Sequence, residues 1–142
     1  MNFGILGEAK IAREHVVPAI LNAGHKVTHV GRRIPGQAAL PKIYGNAIET
    51  DYEALINDPS VDAIYNPLPN HLHVPYSIEA LKAGKHVLCE KPVALNLDEL
   101  SQLENAAKDS KAFFYEAFMV RSHPQWHWLK NLDIGKYQSS HF

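Results

Sequence analysis

Lys91 stands where a lysine can do chemistry. It lies near the end of the run Gly84-Lys-His-Val-Leu-Cys-Glu-Lys-Pro92, in which a glycine able to stop a helix precedes the short apolar segment His86–Cys89. Read as a strand, that segment delivers Glu90, Lys91 and Pro92 to the carboxyl edge of a sheet, where ligands bind in open parallel α/β folds. An ammonium group held there can fix a cofactor and pass a proton, and Pro92 stiffens the turn that carries it. The same residues also read as a solvated loop lysine, the ordinary fate of lysine, with Glu90 beside it to neutralise the charge.

Other segments carry related chemistry. Gly7-Glu8-Ala9-Lys10-Ile11-Ala12 follows an apolar run and opens a helical pattern. A tight turn into a helix presents free amides and a favourable dipole to a pyrophosphate. The loop reads G-x-A-x-x-A rather than G-x-G-x-x-G. Ala12 keeps the small size that helix–strand packing needs, whereas the Ala9 methyl stands where backbone would approach phosphate. A plain strand-to-helix turn gives the same pattern. Next, His29-Val-Gly-Arg-Arg33 offers Gly31, Arg32 and Arg33 and no acid. An Asp or Glu there holds the ribose 2′-hydroxyl of NAD, whereas an arginine pairs in bidentate fashion with the 2′-phosphate of NADP. This favours NADP(H), with NAD(H) possible; solvated surface arginines are the alternative. Finally, in Asn66-Pro-Leu-Pro-Asn-His-Leu-His73 the prolines Pro67 and Pro69 forbid regular helix and hold the chain extended. Asn70 suits a helix cap, and His71 is expected to face solvent.

The elements that must position these residues alternate. Asn2–Leu6, Lys26–Gly31, Asp62–Asn66, His86–Glu90 and Ala112–Tyr115 are short, apolar and rich in β-branched or aromatic residues, with a weaker strand over Asn46–Glu49. Lys10–Ala23, Asp51–Asn57, His71–Ala83 and Leu97–Ser110 carry helical spacing, with stops at Gly24 and Gly84 and starts at Asp51 and Asp98. Strand–helix alternation on short connections implies right-handed crossovers and a doubly wound parallel α/β sheet. After Tyr115 the pattern changes. Arg121–Asn131, with Trp126 and Trp128, reads as a linker helix, and Tyr137–Phe142 as a strand just beginning.

The 142 residues, 46% hydrophobic and 20% charged, are one domain's worth and enough for a real core. A net charge of −1 gives no electrostatic reason to expect nucleic acid or an acidic membrane. Cys89 is the lone cysteine, which excludes an intrachain disulfide; inside an apolar strand it reads as a buried thiol rather than a nucleophile. Neither a signal peptide nor a bilayer-length apolar stretch is present, so a cytoplasmic location is the expectation. The pairs His71/His73 and His123/His127 have metal-ligand spacing, but neither has a third ligand nearby, and no metal is expected.

Asp62-Ala-Ile-Tyr-Asn-Pro-Leu-Pro-Asn-His-Leu-His73 and Ala83–Pro92, together with Phe3–Gly7 and Glu116–Gln125, resemble the glucose–fructose oxidoreductase / inositol dehydrogenase (Gfo/Idh/MocA) family in order and spacing over nearly the whole chain. The resemblance implies a Rossmann-like cofactor domain over 1–118. Residues 119–142 would then be the linker helix and first strand of a second, α+β substrate domain, since a typical member is more than twice this length. It implies that Gly7, Glu8, Ala9, Lys10 and Ile11 border the dinucleotide, and that Pro67 and Leu68 line its adenine-side ribose and diphosphate. Asn70 and His73 would frame the cofactor, Glu90 would contact the nicotinamide ribose or amide, and Lys91 would orient substrate and assist proton transfer. Arg121 would reach the pocket, and Glu116 would act as a hinge anchor. The implied function is a nicotinamide-dependent oxidoreductase moving hydride to or from a sugar, polyol or related small-molecule alcohol or ketone. An Asp and a His of the family's second domain, which complete its proton relay, have no counterpart in these residues. A catalytically silent nucleotide-binding fragment and a lyase or glycosidase that retains NAD are therefore the alternatives. The apolar face of Phe118, Met119, Trp126 and Trp128 predicts burial by a second domain or self-association.

Overall fold

The computed structural model describes residues 1–132; the strand expected over Tyr137–Phe142 lies outside them. The chain runs β1 (Asn2–Leu6), a π-helical turn (Ala12–Val16) continuing as α1 (Val17–Asn22), β2 (Lys26–Gly31), a 3₁₀ turn (Lys42–Tyr44), β3 (Ile48–Thr50), α2 (Tyr52–Asn57) and β4 (Ala63–Asn66). A 3₁₀ turn (Asn70–Leu72), α3 (His73–Lys82), β5 (His86–Cys89), α4 (Leu97–Asp109), β6 (Phe114–Glu116), a 3₁₀ turn (Met119–Ser122) and α5 (Pro124–Lys130) follow.

The strands form one sheet in the order β3-β2-β1-β4-β5-β6, and every pairing is parallel. This is the doubly wound, Rossmann-like order, and its strand order reverses between β1 and β4. Each strand sends alternate side chains to opposite faces. Ile5, Val30 and Tyr65 pack with Ala12, Val17, Ile20 and Tyr44 on the α1 side. Leu6, Ile64, Val87 and Cys89 pack with Leu55, Val74, Leu81 and Leu103 from α2, α3 and α4 on the other. Both faces are thereby covered, as a parallel sheet requires.

Local chemistry explains most boundaries. Asp51 caps α2, accepting the Ala54 amide at 2.7 Å. α3 ends where Gly84, at φ +76°, takes the left-handed conformation, so that the Gly84 amide reaches Leu81 O and the Lys85 amide reaches Ala80 O at 2.9 Å. The start of α4 is a correction: Asn96, not Asp98, is the cap, accepting the Glu99 amide at 2.9 Å while Glu99 accepts from Leu95 N at 2.8 Å. Asn70 also departs from expectation, because neither the turn it opens nor α3 has a side-chain cap. The third strand falls at Ile48–Thr50 rather than Asn46–Glu49, and the sixth at Phe114–Glu116 rather than Ala112–Tyr115. Pairing with β2 and β5 sets those ends, not local propensity.

Lys85, a residue without assignment from sequence, is buried, and its ammonium donates to Asp58 O at 2.6 Å and Val61 O at 2.7 Å. It satisfies carbonyls of the α2–β4 connection that would otherwise be orphaned. The long link between β2 and the Lys42 turn is held by Glu49, which accepts from Gly36 N at 2.7 Å and from Arg32. Trp126 and Trp128 stand 45% and 60% exposed on α5. Among the described residues no helix is long and apolar enough to cross a membrane.

Cys89 is fully buried, and burial pushes its thiol up to about 12, so native protein should label with iodoacetamide far more slowly than protein unfolded in urea. Equal rates would place Cys89 at the surface. The Gly36 amide, and then Arg32, hold the Glu49 carboxyl below its ordinary value. With the folded value below the unfolded one, this contact stabilises the fold above the usual carboxylate range and is lost as pH falls through the folded value. The melting-temperature gap between wild type and Glu49→Gln should therefore narrow as pH drops from about 6 to about 3; a constant gap would remove Glu49 from that role.

Candidate functional site

Because all strands run parallel, the residues that follow β1, β2, β4 and β5 collect at one edge. At the end of β1 the chain turns at Gly7, whose φ of +81° suits glycine and whose amide donates to Gly31 O at 2.8 Å. A Cβ on Gly7 would stand 3.2 Å from Leu68 Cδ2, and one on Gly31 would stand 2.8 Å from Tyr52 Cδ1. The backbone here is as close to its neighbours as only glycine permits. Helix geometry begins at once, with Arg13 N donating to Ala9 O at 3.2 Å. Ala12 is fully buried against the sheet, which accounts for its small size, while Lys10 is exposed beside Glu14. Ala9 and Ile11 are partly exposed.

At the end of β2, Arg32 turns inward. Its Nε donates to Glu8 Oε2 at 2.5 Å and its Nη1 to Glu49 Oε1 at 2.9 Å and to the Ala38 carbonyl, leaving the side chain 12% exposed. Arg33 is exposed. Together with Gly7, Glu8, Gln37 and Tyr52, the two arginines line a cavity of about 520 Å³. They also line an adjoining groove of about 1040 Å³ between α2 and α3, with Tyr52, His71 and Tyr76. His71 is exposed, as expected.

After β4, Pro67 and Leu68 are buried beneath this edge. Asn66 organises the turn: its Oδ1 accepts from Leu68 N at 3.3 Å and its Nδ2 donates to His73 O at 3.1 Å and Ser77 Oγ at 3.3 Å. His73 is only 1% exposed, and its ring nitrogens lie 2.7 Å from Leu68 O and 2.8 Å from Pro92 O. Both nitrogens are committed to backbone, so His73 ties the β4 loop to the β5 loop from below and presents no polar ring atom to a ligand. Asn70 is exposed at the rim.

After β5, Glu90 Oε1 accepts from the Tyr65 hydroxyl at 2.7 Å. Burial, and then the Glu90 charge, push the Tyr65 phenol well up, so it remains the donor. Glu90 is thus engaged with Tyr65, and among the described residues Lys91 has no carboxylate within ion-pair distance; its side chain is exposed. The loop carrying it is pinned at Pro92 O by His73 and at Val93 N by Glu116 Oε1, 3.1 Å away. Glu116 anchors this loop. Arg121 lies elsewhere, in a groove with Val93, Leu100, Glu104, Phe114 and Glu116 beside α4 and β6. His123 caps α5, accepting from Gln125 N at 3.2 Å.

The edge thus brings together Gly7, Glu8, Gly31, Arg32 and Arg33 at one end and Glu90 and Lys91 at the other, with the β4 loop between. Sequence reasoning missed Tyr65, Asn66 and Ser77. The available signal was polarity inside apolar elements, above all an asparagine closing a strand just before proline.

An uncharacterized oxidoreductase of Rhizobium meliloti is 42% identical over 134 residues, 89% of this chain and 39% of that protein. The D-xylose 1-dehydrogenase (NADP(+)) 2 of Haloferax volcanii is 39% identical over 131 residues, 87% of this chain and 39% of that protein. A 3-ketoreductase from Actinomadura kijaniata, crystallised with TDP-benzene and NADP, superposes with a TM-score of 0.82 at 33% identity, covering 91% of this chain and 42% of that one. The chain thus spans about two fifths of the length of these relatives. Residues 1–118 match the Gfo/Idh/MocA description of an oxidoreductase family with an NAD-binding Rossmann fold, and the chain belongs to that family.

Proposed function

We propose that this chain is the cofactor-binding part of a nicotinamide-dependent dehydrogenase or reductase that prefers NADP(H), accepts NAD(H), and acts on a sugar, polyol or related alcohol or ketone. The observation that carries the reading is Lys91, exposed and without an ion-pair partner among the described residues, on a loop pinned by His73 and Glu116 at the same sheet edge as the Gly7 turn. The residues fit a dinucleotide. Gly7, turning at φ +81°, lines a cavity of about 520 Å³ together with the exposed Arg33. Gly7, Ala9, Lys10 and Ile11 would border the pyrophosphate, Glu8, Gly31 and Arg33 the adenosine ribose, and Pro67, Leu68 and Asn70 the middle of the molecule. Arg32 and His73 would act by holding Glu8 and the two loops, respectively.

When bound, the nicotinamide supplies the hydride chemistry. Glu90, oriented by Tyr65, would fix the nicotinamide ribose or amide. Lys91 would hold the substrate oxygen and carry its proton at Nζ. The sugar class is supported by relatives named for xylose and for a dTDP-sugar. The division at residue 118, a cytoplasmic location and self-association through the exposed Phe118, Met119, Trp126 and Trp128 belong to the same proposal. Arg121 would serve the pocket only through a rearrangement of the segment after β6.

Fluorescence titration with NADPH and with NADH tests the reading. Saturable binding that favours NADPH is expected, and Arg33→Ala should weaken NADPH alone, by about 1–3 kcal/mol. Absence of binding to either cofactor would overturn it. Lys91→Ala should keep cofactor affinity while abolishing turnover; retained turnover would remove Lys91 from the chemistry, and binding without turnover in the wild type would favour a silent module.

A further inference from the structure

We propose that Glu8 tempers the preference for NADP(H) and keeps NAD(H) acceptable, its carboxylate supplying from the β1 loop the ribose-hydroxyl acceptor that β2 lacks and opposing the 2′-phosphate that Arg33 attracts. The inference rests on the cofactor reading above and deepens it. Arg32 is a strut rather than a phosphate reader. Its Nε is spent on Glu8 at 2.5 Å, its Nη1 on Glu49 and the Ala38 carbonyl, and its Nη2 faces Ala39 O at 3.5 Å. Four of the five guanidinium N–H groups are thereby directed to partners within the protein.

Glu8 has the opposite character. Oε2 is fixed by Arg32, while Oε1 has no partner among the described residues, and Glu8 lines the same cavity as Arg33. A carboxylate with one oxygen immobilised and the other free is a pre-oriented acceptor for a hydroxyl. The usual acid for that hydroxyl sits at the end of β2, and here that place is taken by Gly31, Arg32 and Arg33. A 2′-phosphate in the cavity would meet attraction from Arg33 and repulsion from Glu8 at close quarters. Glu49 touches Arg32 and Gly36 but does not line the cavity, which makes it the control for loosening Arg32.

The test measures NADPH and NADH dissociation constants for wild type, Glu8→Gln, Glu8→Ala and Glu49→Gln. Both Glu8 variants should move the affinity ratio toward NADPH by about tenfold, through weaker NADH and stronger NADPH binding, while Glu49→Gln leaves the ratio in place. An unchanged ratio in the folded Glu8 variants overturns the inference alone. So does an equal shift from Glu49→Gln, which would assign the effect to Arg32. Wild type that binds neither cofactor overturns the cofactor reading and this inference with it.

Discussion

A parallel sheet has to bury both faces, and that requirement organises this molecule. Each strand-to-strand step needs a crossover, and the crossovers carry α1 on one side and α2, α3 and α4 on the other. The same rule makes every strand point one way, so the segments following β1, β2, β4 and β5 emerge side by side. The edge that holds Gly7, Arg33 and Lys91 is a by-product of core formation. On it Glu8 and Arg32 hold each other, while the β4 and β5 loops are fixed by short tethers into the interior.

Those tethers share a chemistry. Lys85 satisfies carbonyls of the α2–β4 connection, Asn66 braces the β4 turn, and His73 spans Leu68 O and Pro92 O. Each is a buried polar side chain serving backbone groups, the arrangement in which burial of polarity is tolerated. The loops that carry the candidate residues are therefore tethered to the interior, and Lys91 is exposed at the side chain.

The elements were legible in the sequence because local signals agreed with the fold. Gly84 marked the end of α3, Asp51 the start of α2, and the apolar run before Glu90 the strand that delivers Lys91. Boundaries set by pairing partners, such as Ile48–Thr50, were not. At the site, position along the chain was readable but partnership was not. Arg32 and Arg33 are adjacent in sequence, yet the first points to Glu8 and Glu49 and the second to solvent, since the side of a strand end decides which carboxylates a side chain meets. The contacts of His73 with Pro92 O and of Tyr65 with Glu90 were hidden for the same reason: these partners come from the β5 loop and become neighbours only once the sheet has formed.

The hydroxyl of Tyr65 has one proton, and it is spent on Glu90. Glu90 Oε1 is the acceptor in that bond, and burial holds the phenol's pKa above its ordinary value. Lys91, at this end of the edge, opens outward. The exposed lysine thus meets water, while its neighbour in sequence is moored to a ring inside the sheet.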